Sequence, residues 1–412
     1  MKNVKELNVA GKVVFVRCDF NVPQKDGVIS DDNRIVAALP TIQELVSKGA
    51  KVLLTSHLGK VERKIKDKAT GEKRPATEEE IEKAKKKNDL KCIVARLSEL
   101  LGQEVKFCPA TRGEELKNAV ASLKDGEVLV MQNTRYEAGE EKNDAELSAE
   151  WASLADAYVM DAFGSAHRAH ASTVGVPSIL KEAGKEVAVG YLVEKEVKAL
   201  KKAVVVEEQD RPYVAILGGA KVSSKIAVID SLVKKCDKII IGGAMSYTFF
   251  VAQGKTVGTS LVELDQVEYA KKMMATGKLV LPVDTVVADS FDNPQDIRTV
   301  EGNIPDGFEG MDIGPKTREL YVKEISNAKT VFWNGPMGVF EDDRFAVGTV
   351  AVCEACAKLE NAFTIIGGGD SASAAKKLGY KEKFSHVSTG GGASLEMIEN
   401  DGHLPGIDVI GE

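Results

Sequence analysis

A short apolar run that stops at glycine or at a polar residue, followed by a stretch of helical periodicity, recurs along almost the whole of this chain. Nothing else in it restricts the fold so strongly. The clearest case is residues 214–226. Val214-Ala215-Ile216-Leu217 stops at Gly218-Gly219, and Lys221 and Lys225 follow four residues apart. Such a run suits a strand buried on both faces. Glycine lets the backbone turn tightly and approach a ligand closely, and lysines at i and i+4 share a face on a helix. Strand, glycine turn and helix start make an anion cradle, although the same lysines suit a solvated surface equally well.

The pattern runs twice, as expected of an α/β chain with parallel sheets. Strands expected at 12–18, 51–55, 104–107, 127–131 and 157–160 end in polar loops. Asp19, Asn21, His57, Arg135 and Arg168 all fall at these strand ends, where open α/β sheets bind ligands. Asp31-Asp32-Asn33 offers capping side chains before a helix at 35–45. Arg34 then stands in its first turn, where a cation opposes the helix dipole unless an anion is there too. Three arginines and a histidine at one sheet edge describe a pocket for a small, multiply negative molecule. His167 and His170 offer two metal ligands, but no carboxylate stands at helical spacing, so hydrogen bonding or anion contact suits them better. After about residue 187 the pattern restarts. Strands at 213–217, 238–241, 278–283, 330–333 and 362–366 end mostly in glycine, whose loop amides bind phosphate oxygens. Two doubly wound parallel-sheet domains are expected, 1–187 and 188–394, with 194–202 as a linking helix.

The net charge of −7 argues against nucleic acid and anionic membranes as partners. No apolar run is long enough to span a bilayer, and no signal-peptide core follows Met1. The six cysteines form no disulfide framework. Cys18 and Cys236 read as buried thiols, and Cys353 and Cys356 lack the second pair that zinc needs. A reduced, cytoplasmic protein is expected. Residues 61–91 differ in kind. Ala76-Thr77 before Glu78-Glu79-Glu80 reads as a capped, solvent-facing helix. Lys83 and Lys85-Lys86-Lys87, flanked by acids and without aromatics, read as a solvated face. The whole excursion is expected to be an inert surface loop.

Two nucleotide signatures nearly match and fail. Gly254-Lys255-Thr256 has the tail of a P-loop, but Phe249 stands where its first glycine belongs. Gly367-Gly368-Gly369-Asp370-Ser371-Ala372 fits a dinucleotide fingerprint, yet 388–393 holds no acid for a ribose. Asp370 would repel a pyrophosphate unless a cation intervenes, and magnesium held by Asp370 and phosphate oxygens resolves that conflict. Gly390 and Gly391, before a helix at 393–398, offer amides to a phosphoryl group. A polyanion pocket in one half and a magnesium-nucleotide site in the other suggest phosphoryl transfer.

The chain resembles the phosphoglycerate kinase family. The resemblance rests on Val16-Arg17-Cys18-Asp19-Phe20-Asn21-Val22-Pro23, Ser56-His57-Leu58-Gly59, residues 161–170, Gly218-Gly219-Ala220-Lys221, residues 333–338 with Glu341, residues 367–371 and residues 389–393. It implies a Rossmann-like fold in both domains, a hinge near 190–200, and a tail, 395–412, returning to the first domain. It further implies 3-phosphoglycerate or 1,3-bisphosphoglycerate held by Asp19, Phe20, Asn21, Arg34, His57, Leu58, Gly59, Lys60, Arg135 and Arg168. ATP or ADP would meet Lys225, Gly314, Glu341, Gly368, Gly369, Asp370 and Ser371, with Asp370 turned to magnesium. Arg34, Lys221 and the amides of Gly390 and Gly391 would stabilise the phosphoryl group in transfer, and a monomer is expected. Lys60 stands where the family usually has arginine, so the bidentate fork is lost. The rivals are an NAD-dependent dehydrogenase, opposed by the missing ribose acid, and a non-catalytic sugar-phosphate binding protein, which leaves Lys221, Lys225 and Asp370 unexplained.

Overall fold

The computed structural model describes residues 1–67 and 70–411; Lys68 and Ala69 of the excursion and Glu412 of the tail lie outside the described residues. In the first half, strands β1 (Val13–Cys18), β2 (Lys51–Thr55), β3 (Val105–Cys108), β4 (Val128–Met131), β5 (Ala157–Asp161) and β6 (Glu186–Val189) form one parallel sheet. Their spatial order is β6-β5-β1-β2-β4-β3. In the second half, β7 (Tyr213–Leu217), β8 (Lys238–Ile241), β9 (Leu279–Val280), β13 (Thr330–Asn334), β14 (Phe363–Ile366) and β15 (His386–Val387) form another. Its order is β9-β8-β7-β13-β14-β15. Between β9 and β13 in sequence, β10 (Asp284–Ala288) pairs antiparallel with both β11 (Ile297–Glu301) and β12 (Glu309–Ile313).

The apolar runs are buried because each sheet is covered by helices: every residue of β4, β5, β7 and β13 is inaccessible to solvent or nearly so. Phe15 of β1 stacks on Tyr158 of β5 with ring centroids 5.9 Å apart. The order in which strands are added switches side between β1 and β5 in the first sheet and between β7 and β13 in the second, although each pair runs parallel. In doubly wound folds a crevice opens beyond the carboxyl ends of such strand pairs.

Helices α1 (Asn33–Ser47), α2 (Glu78–Lys87), α3 (Tyr191–Val204), α4 (Ile226–Lys235), α5 (Gly369–Lys377) and α6 (Gly391–Glu399) bear on the sites described below. In α2 the expected cap is present: Thr77 and Glu80 form a reciprocal capping box. In α1, of the capping side chains expected at 31–33, Asp31 accepts the Asn33 amide at 2.9 Å, and Asp32 pairs with Arg96 at 2.7 Å. All six cysteines are free, and Cys18, Cys236, Cys353 and Cys356 are buried.

The chain forms two compact units, Met1–Lys195 with His403–Glu412, and Glu196–Gly402. The sequence pattern places the first division at 187/188, and the family resemblance implies a second at 394/395. The first moves because β6 is an edge strand of the first sheet, and because Asp161 Oδ1 accepts the amides of Leu192 and Val193 at the start of α3. The second moves because the end of α6 packs on α4: Ser231 Oγ donates to the Ile398 carbonyl at 2.8 Å, and Lys235 pairs with Asp401 at 2.5 Å.

Candidate active site

In the first unit the loops after β1, β2, β4 and β5 are tied to one another by polar side chains. The Phe20 amide donates to Ser56 Oγ (2.8 Å), and the Gly59 amide to Asn21 Oδ1 (2.7 Å). Asn133 links Leu58 and Asn88 through Nδ2, at 2.7 and 2.9 Å. Arg135 Nη1 donates to the Gly59 carbonyl at 2.6 Å. Arg34, in the first turn of α1, pairs with Asp19, so the anion its position calls for is supplied by the protein itself. His57 is buried. Burial, then the charges of Arg17, Arg135, Arg34 and His170, hold its ring pKa well below the ordinary value. Desolvation likewise lowers that of Arg135. Arg168 is exposed, with Nε 3.2 Å from His167 Nε2. Burial, with the cation of Arg168 next, brings His167 down to about 4.

Asp19, Asn21, Arg34, His57, Leu58, Gly59, Arg135 and Arg168 therefore share one sheet edge. Phe20 is fully buried and serves as an anchor. Lys60 stands apart, exposed and 3.9 Å from Glu62. The ends of the excursion are hydrogen-bonded to the rest of the first unit. Asn88 donates to the Lys60 carbonyl at 2.9 Å and fills the space a side chain on Gly59 would need, with Oδ1 2.1 Å from an added Cβ. Arg63 Nη2 donates to the Tyr136 carbonyl, and Tyr136 Oη to that of Lys85, both at 2.5 Å.

In the second unit the turns after β7, β8 and β13 approach one another backbone to backbone. A Cβ on Gly218 would stand 1.9 Å from the Pro336 carbonyl oxygen, and one on Gly243 2.6 Å from the Gly219 amide. Only glycine permits this approach. A cavity of about 370 Å³ opens beside them, lined by Gly219, Gly243, Phe291, Pro336, Glu341 and Asp370 among others. Asp370 lies in the first turn of α5. Ser371 is buried and accepts the Gly335 amide at 2.8 Å, so it ties the loops together. Gly390 caps α6, and Gly391 lies against the Gly367-Gly368 backbone, 3.1 Å from added Cβ to the Gly368 Cα. Gly314 is set away from this lining. It backs onto the buried Asp284 carboxylate, which accepts the Thr317 and Lys316 amides of the helix Pro315–Ile325 at 2.8 and 3.0 Å.

The two lysines that open this region are not on one helical face. Helix α4 begins only at Ile226, and 219–225 is a turn. Lys225 is half-buried and donates to Asn334 Oδ1. Burial lowers its pKa, opposed by Glu399 and Asp370. Lys221 is exposed, and its ammonium has no partner among the described residues. Sequence reasoning also missed Glu196, on α3, which is fully buried. It accepts from the Thr389 amide and hydroxyl and from His386, all at 2.7 Å, and so fixes the approach to Gly390. A carboxylate in a linking helix gives no sign that it will be buried, so no signal pointed to it.

A magnesium ion fits this donor set in one manner. Among the described residues no group of three or more His, Cys, Asp or Glu gathers to hold a metal. A single first-turn carboxylate beside a glycine-lined cavity suits an ion that takes most of its oxygens from phosphates and water.

A cluster of cationic side chains at one switch point and a glycine-lined pocket at the other, on two parallel-sheet units, define a two-domain α/β kinase. The phosphoglycerate kinase family model matches residues 4–401. Phosphoglycerate kinases from Enterococcus faecalis and Clostridium novyi are 56% and 54% identical to the chain. The matches cover all of it and 99% and 98% of the relatives. The solved structure of the Coxiella burnetii phosphoglycerate kinase superposes with a TM-score of 0.84 at 35% identity, over 99% of this chain and 98% of that one. That of the Pyrococcus horikoshii OT3 enzyme superposes at 0.80 and 31%, over 100% and 98%. The chain belongs to the phosphoglycerate kinase family.

Proposed function

We propose that this chain catalyses reversible, magnesium-dependent phosphoryl transfer between 1,3-bisphosphoglycerate and ADP, giving 3-phosphoglycerate and ATP, with a carboxyl group as acceptor in the ATP-consuming direction. The observation that carries this reading is the first-unit cluster of side chains, which is rich in cations and lowers the pKa of its histidine ring. A carboxylate acceptor is already ionised and needs no base. Arg34, Arg135 and Arg168, with His57, Asn21 and Asp19, hold the three-carbon substrate. The backbone of Leu58 and Gly59 shapes the floor, and Lys60 acts at most through long-range charge. The nucleotide takes the glycine-lined cavity, with Lys225 and the amides of Gly368 and Gly369 at its phosphates and Glu341 at its far end; Ser371 and Gly314 support the loops. Asp370, with the nucleotide phosphates, would hold magnesium, which would supply neutralisation of the phosphoryl charge.

A carboxylate oxygen of 3-phosphoglycerate forms the new bond to the terminal phosphorus while the bridging P–O bond to ADP breaks, and no proton moves. Catalysis is then positioning and charge stabilisation. Lys221, Arg34 and the amides of Gly390 and Gly391 stabilise the equatorial oxygens. Direct in-line transfer requires a closing motion about the 190–200 segment, which also excludes water. Among the described residues no helix is long and apolar enough to cross a membrane. Small soluble substrates suit a reaction in the cytoplasm. The test is ATP-dependent consumption of 3-phosphoglycerate, with and without magnesium. Activity that requires the metal supports the reading, and absence of turnover with both substrates present overturns it.

A further inference from the structure

Arg17 belongs to β1, and only 1% of its surface is exposed. Its Nε donates to Ser172 Oγ at 2.7 Å, its Nη1 to the Cys18 carbonyl at 2.5 Å, and its Nη2 lies 3.1 Å from His57 Nδ1. Ser172 in turn donates to Glu140, through Oγ at 2.7 Å and its amide at 2.8 Å. A buried carboxylate thus faces the buried guanidinium across one hydroxyl. Guanidinium nitrogens donate and do not accept. Contact with His57 Nδ1 therefore requires that nitrogen to carry the lone pair, which puts the single ring proton on Nε2.

We propose that Arg17 is a positioning residue for the substrate pocket, fixing His57 as its Nε2–H tautomer so that the ring meets an anionic substrate as a directed donor. This rests on the reading of His57 as a substrate contact. Two further observations bear on it. Nε2 has no partner among the described residues, and the ring keeps 7% exposure, so that donor is free to be used. The groups acting on the ring are Arg17 from β1, Arg34 from α1, Arg135 after β4 and His170 after β5, none of them a carboxylate, so nothing there favours a second ring proton. The opposite tautomer would turn a lone pair toward a carboxylate or phosphate, and a buried acceptor left unpaired is costly.

The experiment is heteronuclear NMR of the full-length protein labelled at histidine nitrogen, free of substrate, with 3-phosphoglycerate kinetics on variants. In the parent, the His57 Nε2 signal is expected to be that of a protonated nitrogen and Nδ1 that of an unprotonated one, from about pH 8 to about pH 5.5. Arg17→Met should give mixed tautomers and raise the 3-phosphoglycerate KM about tenfold with kcat little changed, while Arg17→Lys, which keeps a donor, restores part of both. A parent ring protonated at Nδ1 overturns the proposal, as does an Arg17→Met ring with an unaltered tautomer. Should Arg17→Met fail to fold, the parent spectrum decides alone. If the tautomer is as assigned but His57→Ala leaves the KM unchanged, the ring has no part in binding and the positioning role falls with it.

Discussion

Lys221 and Lys225 look interchangeable as letters and differ in every physical respect once folded. One is half-buried against Asn334 with a lowered pKa, the other exposed and without a partner among the described residues. Lys221→Met is expected to lower kcat roughly 10²–10³-fold while the nucleotide KM changes little, since a charge that acts on the transferring group contributes to the transition state rather than to binding. Steady-state kinetics with both substrates varied checks this, and an unchanged kcat removes Lys221 from the chemistry. Asp161 carries a different signal. Burial lifts its carboxyl to about 7, against about 4 in an unfolded chain. Between those values the folded state holds a proton the unfolded state has released. Its contribution to stability is thus present below about pH 4 and lost as pH rises through about 7. Asp161→Asn, which keeps an acceptor for the α3 amides, should therefore gain in Tm over the parent on going from about pH 5 to about pH 8. A gap that narrows instead contradicts the buried acid. Neither Asp161 nor Arg17 could be singled out by burial from the sequence, because a charged letter at a strand end reads as solvent-facing. Asp19, His57 and Arg135 were legible because strand ends in parallel sheets are where sites form.

Elements show where pattern reading stops. Long apolar strands lie within a residue or two of their expected spans, whereas β9 stops at Val280 instead of 283, and β6, the two-residue β15 and the antiparallel β10–β12 were not expected, being short, mixed in polarity or at an edge. The glycine turns were found as phosphate loops, but their mutual contact was invisible, because closeness between Gly218 and Pro336 depends on β7 and β13 being neighbours although paired residues stand 117 positions apart in the chain. Gly218→Ala meets backbone that cannot give way, so a destabilisation of about 2–4 kcal/mol with loss of nucleotide binding is expected; urea unfolding and ADP titration check it. The excursion divides in the same way. Its ribbon, Lys64–Lys66 with Lys73–Pro75, pairs with itself, and replacing residues 64–75 by a short linker should leave turnover within about twofold. Asn88→Ala should instead raise the 3-phosphoglycerate KM severalfold, because the Gly59–Lys60 backbone loses its support. Equal effects from both changes would mean the excursion acts as one body.

At the scale of the whole molecule the proposed assignment gives each ligand its own unit. A ligand at about 100 times its Kd stabilises the form it binds by about 2.7 kcal/mol. In hydrogen exchange, 3-phosphoglycerate is expected to protect chiefly amides of Met1–Lys195 and ADP those of Glu196–Gly402. The reverse pattern would exchange the two sites. With Arg168 exposed, substrate affinity should also fall as salt rises, since screening acts over about 8 Å at physiological ionic strength.

The first unit is not finished when its sixth strand is made. Gly406 packs on the Ala166 backbone, where an added Cβ would come within 3.0 Å of its carbonyl oxygen, and Lys181 donates to the carbonyls of Val409 and Ile410 at 3.1 Å. On a ribosome adding about 5–20 residues per second, the N-terminal sheet must therefore wait some tens of seconds, while the entire second unit is synthesised, before its last piece arrives. A nascent chain halted before His403 thus displays a first unit lacking its closing segment. Chaperone contact during synthesis should concentrate on the surface around Ala166 and Lys181 until release.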